Sequence, residues 1–417
     1  MFETLFTRPY AIAHHRNGPL AEERRRYLAH CAENGIAIST LWVLADYLLR
    51  IAKYLKLGKR GNDRISMAEV QAAAARWANR RPHPPKWKTR RFAQRRFLRH
   101  SRRWLQFIGR LEQPATAPHA YADRVAAFAK FQMEKGLSSQ TISSRGRLVQ
   151  VVLDRLGAGK LRMEKITPVH IDATMSKLIL DGNLARMSIR TYAAYLRAFF
   201  RYAETRGWCR AGLSTGIMAP CIYAHETIPS GPSWEDAQRL LATTERGRPC
   251  DIRDRALLLL LIVYGFRSGE VRQLRLDDLD WEGELIHLRR PKQRRTQVFP
   301  LSRTVGDAIL RYIKKVRPRT SHREVFLALN APLRPLGGAA LRQAVAWRLR
   351  SLGLSVRHYG PHALRHTCAT HLLEKGHSMK EIGDYLGHSC PESTYMYAKV
   401  NLAGLRAVAD FDLEDLP

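Results

Sequence analysis

A nine-residue stretch early in the chain is echoed about a hundred residues later. ENGIAISTL at 33–41 aligns with EKGLSSQTI at 134–142, and Asp63-Arg64-Ile65-Ser66 aligns with Glu164-Lys165-Ile166-Thr167. Gly35, Thr40, Ile65 and Ser66 fall on Gly136, Thr141, Ile166 and Thr167 with one offset of 101. Further on, RRWLQFIGR (102–110) is similar to RAFFRYAETR (197–206) at a shorter offset. Self-similarity at fixed spacing marks one supersecondary unit used twice. A glycine followed by hydroxyl residues is a helix stop and then a helix cap. The expectation is therefore two copies of one small helical module, against the plainer reading of two unrelated capped hairpins.

Two breaks set the boundaries. The Pro/Ala-rich segment LEQPATAPHAY closes a first block, 1–113, and HETIPSGPS separates a second block, 118–222, from a third, 233–417. The second block reads as helices. One spans Tyr121–Lys135 and stops at Gly136. The next is capped by Ser139-Gln140-Thr141 and runs to Leu156, another is capped by Thr167, and the last spans Ser188–Arg206. The third block changes character. Ser233 and Asp236 form a capping box for a helix through Leu241, and Arg253–Phe266 reads as a buried helix. Glu284–Arg290 and Thr296–Leu301 flank the turn PKQRR as a hairpin. Helices follow at 303–316, 339–352 and Leu364–Lys375, and Ser378 with Glu381 boxes a last one that ends at Gly387. The expected fold is mainly α, with a small antiparallel sheet in the C-terminal domain.

Charge then selects the partner. Lys plus Arg is 70 against 37 acids, a formal surplus of +33. A surplus of that size serves a polyanion, either nucleic acid or an anionic membrane face. The longest apolar run, Ala256–Tyr264, has nine residues, and a span needs about 20. The start, MFETLFTRPYAIAHHRNG, lacks the apolar core of a signal peptide. Six cysteines at 31, 209, 221, 250, 368 and 390 form no CxxC pair, which fits a reducing cytoplasm without disulfides or zinc ribbon. Nucleic acid is therefore the expected partner, with no membrane. The densest positive stretch is 80–103, eleven Lys/Arg and no acid, interleaved with Trp87, Phe92 and Phe97. A solvated helix face normally mixes signs. Lys86, Lys88, Arg90, Arg91, Arg95, Arg96 and Arg99 are accordingly candidate DNA contacts, together with Arg145 of the second block.

The chemistry concentrates in the third block. Arg267 follows the buried helix in YGFRSGE, and Lys292 sits in the hairpin turn. His362 and Arg365 stand three apart in PHALRHT, on one face of a helical turn. His388 follows a glycine stop in YLGHS, and Tyr397 comes nine residues later in YMYAKV. Asp277, Asp278 and Asp280 lack partner ligands at metal spacing and read as capping and turn chemistry. Two arginines can grip both non-bridging oxygens of a phosphate. Tyrosine is a nucleophile that stores bond energy as a phosphodiester. A free phenol, with a pKa of ~10, needs a base or a cationic field to react. Histidine supplies a base, and lysine, unlike arginine, can release a proton to a leaving 5′-oxygen. Lys292 is the one lysine between Lys177 and Lys314 in a chain of 54 Arg and 16 Lys. This set suits phosphoryl transfer with neither metal nor other cofactor.

The ordered set Arg–Lys–His-x-x-Arg–His–Tyr resembles the tyrosine recombinases and phage-type integrases, with an Xer-like catalytic domain. YGFRSGEVRQL is similar to the family's first-arginine box, and HALRHTCATHLLEKG with YLGHSCPESTYMYAKV is similar to its second. FLALNAPLRPL looks like the family's strand between them. The resemblance covers about 118–410 and is strongest over 255–400. It implies a SAM-like core-binding helical domain, 118–222, ahead of a catalytic domain, and the internal repeat adds the first block as a second N-terminal SAM-like helical module. The resemblance implies that Arg267 and Arg365 bind the scissile phosphate and that Lys292 protonates the 5′-oxygen. His362 is then the base toward Tyr397, His388 contacts the phosphate, and Tyr397 forms a 3′-phosphotyrosine. Tyr395 is the rival nucleophile. The family acts as a homo-oligomer on DNA, a tetrameric synapse, at times with partner recombinases. The first block departs from the short chromosome-dimer resolvase layout, which favours a mobile-element integrase acting at the bacterial nucleoid in the cytoplasm.

Plainer readings stand beside these. Glu270 reads as helix packing or a salt bridge to an arginine, and His366 as structural support. His371 and His377 read as surface or cap histidines, and Trp281 and Trp347 as core. Ala369–Leu386 also reads as a helix-turn-helix, which would make the chain a catalytically silent regulator. A relaxing topoisomerase of related chemistry is the third reading. Leu402, Leu405 and Val408 form an apolar stripe before an acidic end, a candidate for docking on a neighbouring protomer.

Overall fold

The computed structural model describes residues 1–79, 90–112, 119–157, 161–182, 184–221, 231–290, 295–388 and 390–400, without the side chains of 90, 91, 295, 399 and 400. Lys86, Lys88, Lys292 and the stripe Leu402, Leu405 and Val408 lie outside the described residues, as do the side chains of Arg90 and Arg91. Residues 113–226 form one compact unit, and 1–112 with 227–417 form the other. The described residues are mostly helical, with one three-stranded antiparallel sheet.

The first hundred residues carry α1 (Phe2–Leu5), α2 (Pro9–Arg16), α3 (Ala21–Glu33), α4 (Ile38–Tyr54), α5 (Met67–Asn79) and α6 (Arg90–Phe107). Helix α4 buries Leu41, Leu44, Ala45, Leu48, Ile51 and Ala52, a stripe at three- and four-residue spacing. Those side chains join Leu28, Val70, Phe97 and Trp104 in one hydrophobic cluster.

The 113–226 unit holds α7 (Ala122–Glu134), α8 (Ser139–Gly157), α9 (Pro168–Gly182) and α10 (Arg186–Thr205). Its core is built on Phe128, Val149, Leu153, Ile171, Leu196 and Phe199. The cap of α8 differs by one residue from expectation. Ser138 Oγ, not Ser139, accepts the N–H of Thr141 at 3.2 Å.

The C-terminal part begins with α11 (Trp234–Ala242), capped by Ser233 Oγ accepting the N–H of Asp236. Helix α12 (Pro249–Val263) starts four residues earlier than expected because Pro249 occupies its first turn. It stops at Val263, just before left-handed Gly265, φ 59°. After α13 (Ser268–Gln273) come β1 (Leu279–Asp280), β2 (Leu285–Arg290) and β3 (Arg295–Pro300), paired antiparallel in the order β1-β2-β3. The rest is α14 (Arg303–Lys315), α15 (Gly338–Ser351), α16 (Pro361–Glu374), α17 (Met379–Leu386) and α18 (Glu392–Tyr395), followed by a 3-10 turn, Met396–Val400. Helix α12 is buried nearly all round and packs on α14 and α16. Helix α16 likewise starts early, on Pro361.

Three expectations are corrected. FLALNAPLRPL adds no strand to the sheet, and only Leu327 and Pro335 bridge across its turn. Trp281 is 41% exposed in the turn between β1 and β2, and Trp347 is 55% exposed on α15, so neither is core. On α15 the inward position belongs to Arg348, 1% exposed, whose guanidinium reaches Asp251 at 3.0 Å and Asp254 at 2.7 Å on α12. An apolar pattern cannot show that a charged neighbour takes the buried place when it brings its own counter-ions. All six cysteines are free thiols. No described helix is long and apolar enough to cross a membrane.

Candidate active site

Short turns at helix ends position the candidate residues. Arg267 leaves α12 through the Gly265 turn and becomes the N-cap of α13. Its backbone N–H and one guanidinium nitrogen donate to Glu270 at 2.7 and 2.8 Å, and a second nitrogen donates to the Gly387 carbonyl at 2.6 Å. Arg365, on buried α16, donates to the carbonyls of Gly265 at 2.6 Å and Leu386 at 2.7 Å. Arg290, the last residue of β2, donates to the carbonyls of Tyr385 at 3.1 Å and Leu386, and lies 3.8 Å from Glu270. Three guanidiniums thus converge on the C-terminus of α17. Its last carbonyls lack helical partners and form the negative end of the helix dipole.

One carboxylate, Glu270, pairs with two of these three cations, Arg267 and Arg290, so the site keeps an excess of positive charge. Burial, and then Arg267, bring the Arg365 guanidinium down to about 10. Burial likewise holds Arg290 below its ordinary value. Both remain cations at neutral pH, in a setting that favours an added anion.

Tyr397 is 1% exposed, packed on Cys368, Ala369, Leu373, Ile382 and Leu386. Its hydroxyl is 2.9 Å from His366 Nδ1. Burial pushes the phenol up to about 12, although Arg365 pulls the other way. Burial, and then His362 and Arg365, push His366 down to about 4. At neutral pH the phenol is therefore protonated and the imidazole neutral, and in the tautomer with its proton on Nε2 the ring accepts the Tyr397 O–H at Nδ1. Tyr395, the rival nucleophile, is 54% exposed.

The other histidines divide between two places. His388 Nδ1 is 2.6 Å from Thr394 Oγ1, and burial with Arg365, Arg267 and Arg290 pushes its imidazole down to about 4. His362 stands at the exposed edge of α16 with its ring centroid 4.4 Å from that of His366. Partial desolvation and Arg365 lower it. The expected pairing of His362 with Tyr397 is thus replaced by His366, one helical turn further along α16. His371 stacks on Trp234 at 3.6 Å.

Arg267, Arg290, Arg365, His388, His366 and Tyr397 are brought together around the end of α17. Arg290 is the residue that sequence reasoning passed over. A signal was present, because alternation along LIHLRR puts Ile286, Leu288 and Arg290 on one face, and all three are buried. Among the candidate DNA contacts, Arg95 and Arg99 are exposed on α6. Arg96 instead lies over the Tyr47 ring at 5.2 Å. Arg145 is held internally, donating to Gln132 at 3.3 Å and resting on Tyr195 at 5.4 Å.

Comparison with known proteins gives the family. The model of the phage integrase family matches residues 233–403, and that of the phage integrase N-terminal SAM-like domain matches 125–207. A Sinorhizobium fredii protein designated integrase/recombinase y4rA is 34% identical over 295 residues, 70% of this chain and 71% of that one. The tyrosine recombinase XerC of Thermodesulfovibrio yellowstonii is 26% identical across 67% of this chain and 92% of its own. In fold, the chain is similar to the XerH site-specific recombinase solved on a palindromic difH substrate, with a TM-score of 0.55 at 18% identity over 71% of this chain and 91% of that one. The chain belongs to the tyrosine recombinase, or phage integrase, family of enzymes that cleave and rejoin DNA strands.

Proposed function

We propose that this recombinase serves a mobile element and cuts DNA through Tyr397, forming a 3′-phosphotyrosine. The observation that carries the reading is the Tyr397 hydroxyl at 2.9 Å from the neutral acceptor His366 Nδ1, beside the convergent arginines. The phenolic oxygen bonds to phosphorus as the bond to the 5′-oxygen breaks. The phenolic proton passes to His366, and a proton from Lys292 goes to the departing 5′-oxygen. Arg267 and Arg365 bind the non-bridging oxygens, with His388 donating to one of them. Arg290 holds the end of α17 that Arg267 and Arg365 also grip. The 5′-hydroxyl of a partner strand then attacks phosphorus, releases Tyr397 and completes the exchange. Because Tyr397 is buried, the segment after α18 has to open before the phenol reaches DNA.

In this reading residues 118–222 clamp the duplex opposite the catalytic domain, 233–417. The protein works as a homo-oligomer on double-stranded DNA, up to a four-protomer synapse, at the bacterial nucleoid. The extra block 1–113 supports a mobile element over a housekeeping resolvase.

The test is a suicide duplex nicked near the cleavage point, built on inverted repeats sought in the DNA around the gene. A covalent protein–DNA adduct is expected from the parent and from Tyr395→Phe, in EDTA as well as in magnesium, and not from Tyr397→Phe. Adduct formation by Tyr397→Phe overturns the assignment. Lys292→Arg is expected to bind normally and cleave slowly. A 5′-phosphorothiolate leaving group, which needs no proton, should restore its rate, and failure of that rescue removes Lys292 as the acid.

A further inference from the structure

Residues 1–112 lie outside both matched regions, 125–207 and 233–403, yet their backbone follows that of the second block. Helices α3 and α7 have 13 residues each and start 101 positions apart. Each follows a non-glycine residue in the left-handed region, Leu20 at φ 53° and Tyr121 at φ 57°. L-residues avoid that region at a cost of about 1 kcal/mol or more. Four non-glycine residues adopt it among those described, and two of the four stand 101 apart at the same point of the same helix.

The correspondence continues along the chain. Gly35 and Gly136 close these helices at φ 77° and 72°. The next N–H groups, of Ile36 and Leu137, both return 3.1 Å bonds, to Cys31 and Gln132. Helices α4 and α8 again start 101 apart, as do α5 and α9. Between them each block has a 3-10 turn, Leu57–Lys59 and Met163–Lys165, and a fully buried isoleucine, Ile65 and Ile166. The final helices end at Gly109 and Gly207, φ 68° and 66°. The following N–H groups, of Arg110 and Trp208, bond back to Leu105 and Ala203.

The copies share a backbone but not a surface. Helix α8 opens with Ser139, Gln140, Thr141, Ser143 and Ser144 and continues to Arg145 and Arg147. Helix α4 has Ile38 and Trp42 at the matching places, 63% and 52% exposed. The basic face has moved to α6. That helix carries seven arginines and no acid, buries Phe97, Ser101, Trp104 and Leu105, and exposes Arg95, Arg99, Arg102 and Arg103. Elsewhere in the same block Arg16, Arg25, Arg50 and Arg60 each take a carboxylate, from Glu3, Glu22, Asp46 and Glu69. Arg95, Arg99, Arg102 and Arg103 have no ion pair or hydrogen bond among the described residues. Their crowding is felt, since burial and then Arg103 and Arg96 lower the Arg99 guanidinium.

We infer that residues 1–112 are a second copy of the core-binding fold, and that the copy grips duplex DNA through Arg95, Arg99, Arg102 and Arg103 of α6. Unpaired like charges held on one rigid face cost repulsion in the free protein and gain it back on a polyanion. Eight residues of helix span about 12 Å, a length over which a duplex presents about seven phosphate charges. The grip adds contacts beyond those of the 118–222 module and carries no sequence information of its own. The inference rests on the DNA-acting reading of the chain, but not on its chemistry.

The test is the salt dependence of binding to a mixed-sequence 40-bp duplex, measured with the full-length Tyr397→Phe protein so that cleavage plays no part. Each neutralised phosphate contributes about 0.9 to the slope of log K against log[salt]. The variant R95Q/R99Q/R102Q/R103Q is expected to lose about 3 to 4 of that slope. The control R8Q/R16Q/R25Q/R26Q removes the same charge from the same block and is expected to lose less than one. All four stripe residues are exposed, so folding should hold. If the quadruple variant unfolds, R95Q/R102Q and R99Q/R103Q are measured separately, with about 2 expected from each. A stripe variant that loses no more slope than the control overturns the inference. A missing adduct with the stripe effect intact would instead count against Tyr397 chemistry alone.

Discussion

In the proposed reaction a phenol raised to about 12 hands its proton to a neighbour as it attacks phosphorus, and the neighbour in reach of Tyr397 is His366. His366 is free to accept it because burial keeps the imidazole neutral. A general base contributes typically 10²–10⁴-fold. His366→Phe keeps an aromatic body in the pocket and removes the acceptor. Its single-turnover adduct formation should slow by at least about 100-fold with unchanged DNA binding. His362→Ala, measured beside it, should be the milder change. A His366→Phe protein that cleaves at the parent rate, or a His362→Ala protein that is the slower of the two, would return the base to His362. Arg365 permits a second test at this scale. Its guanidinium reaches two carbonyls on different elements, Gly265 and Leu386, and a lysine ammonium cannot span both. Arg365→Lys should therefore lose cleavage despite keeping its charge, and an adduct yield near that of the parent would show that charge alone suffices.

Between elements, a buried cluster joins Arg348 on α15 to Asp251 and Asp254 on α12. Arg348 also donates to the carbonyl of Thr243. Removing one partner of such a cluster costs about 3–5 kcal/mol where it leaves a buried charge uncompensated. Asp251 keeps Arg248 and Asp254 keeps Arg253, each at 2.8 Å, so Arg348→Ala should lower the urea midpoint by less than that, with the loss seen in the unfolding of the C-terminal part. A change under about 1 kcal/mol would mean that Arg248 and Arg253 compensate the aspartates by themselves. This element scale is also where sequence reading succeeds and fails for physical reasons. The caps at Ser233 and Ser378, the stop at Gly387 and the β2–β3 hairpin are local, set by residues within four or five positions, and they occur where their residues predict. The starts of α12 and α16 were missed by three or four residues, because each begins on a proline that local text also permits as a loop. Arg348, Arg290 and the bond from Tyr397 to His366 are long-range. Arg348 finds its acids 94 and 97 positions away, and Arg290 finds its carbonyls 95 and 96 away. Spacing along the chain does not register such distances. The site residues named from the sequence were an ordered set without geometry, and the fold supplies the end of α17 as the point they share.

Across the whole molecule, the charge surplus has a second consequence besides DNA attraction: histidines buried in so positive a field resist protonation. His15 and His100 in the first block and His366 and His388 in the C-terminal part are each pushed down to about 4, in every case with burial as the main cause and arginines adding to it. In the unfolded chain each returns to about 6.5. The folded value is the lower one, so between about pH 4 and 6.5 the unfolded state binds more protons, and stability rises with pH across that window. The protein should therefore be fully stable above about pH 6.5 and lose stability steadily as the pH falls toward 4. The loss should occur in both parts, since the four histidines are split between them. His100 isolates the effect in the first block. It is 8% exposed, its Nε2 has no hydrogen-bond partner among the described residues, and its ring lies 5.1 Å from that of Tyr47. His100→Leu removes the titrating group and leaves an apolar side chain in an apolar place. It should match or exceed the parent at pH 7.5 and be clearly more stable than the parent at pH 5, as read from urea unfolding at the two pH values. Equal losses for both proteins between pH 7.5 and 5 would mean that His100 takes up its proton in the folded state, and that the positive field around it is screened rather than felt.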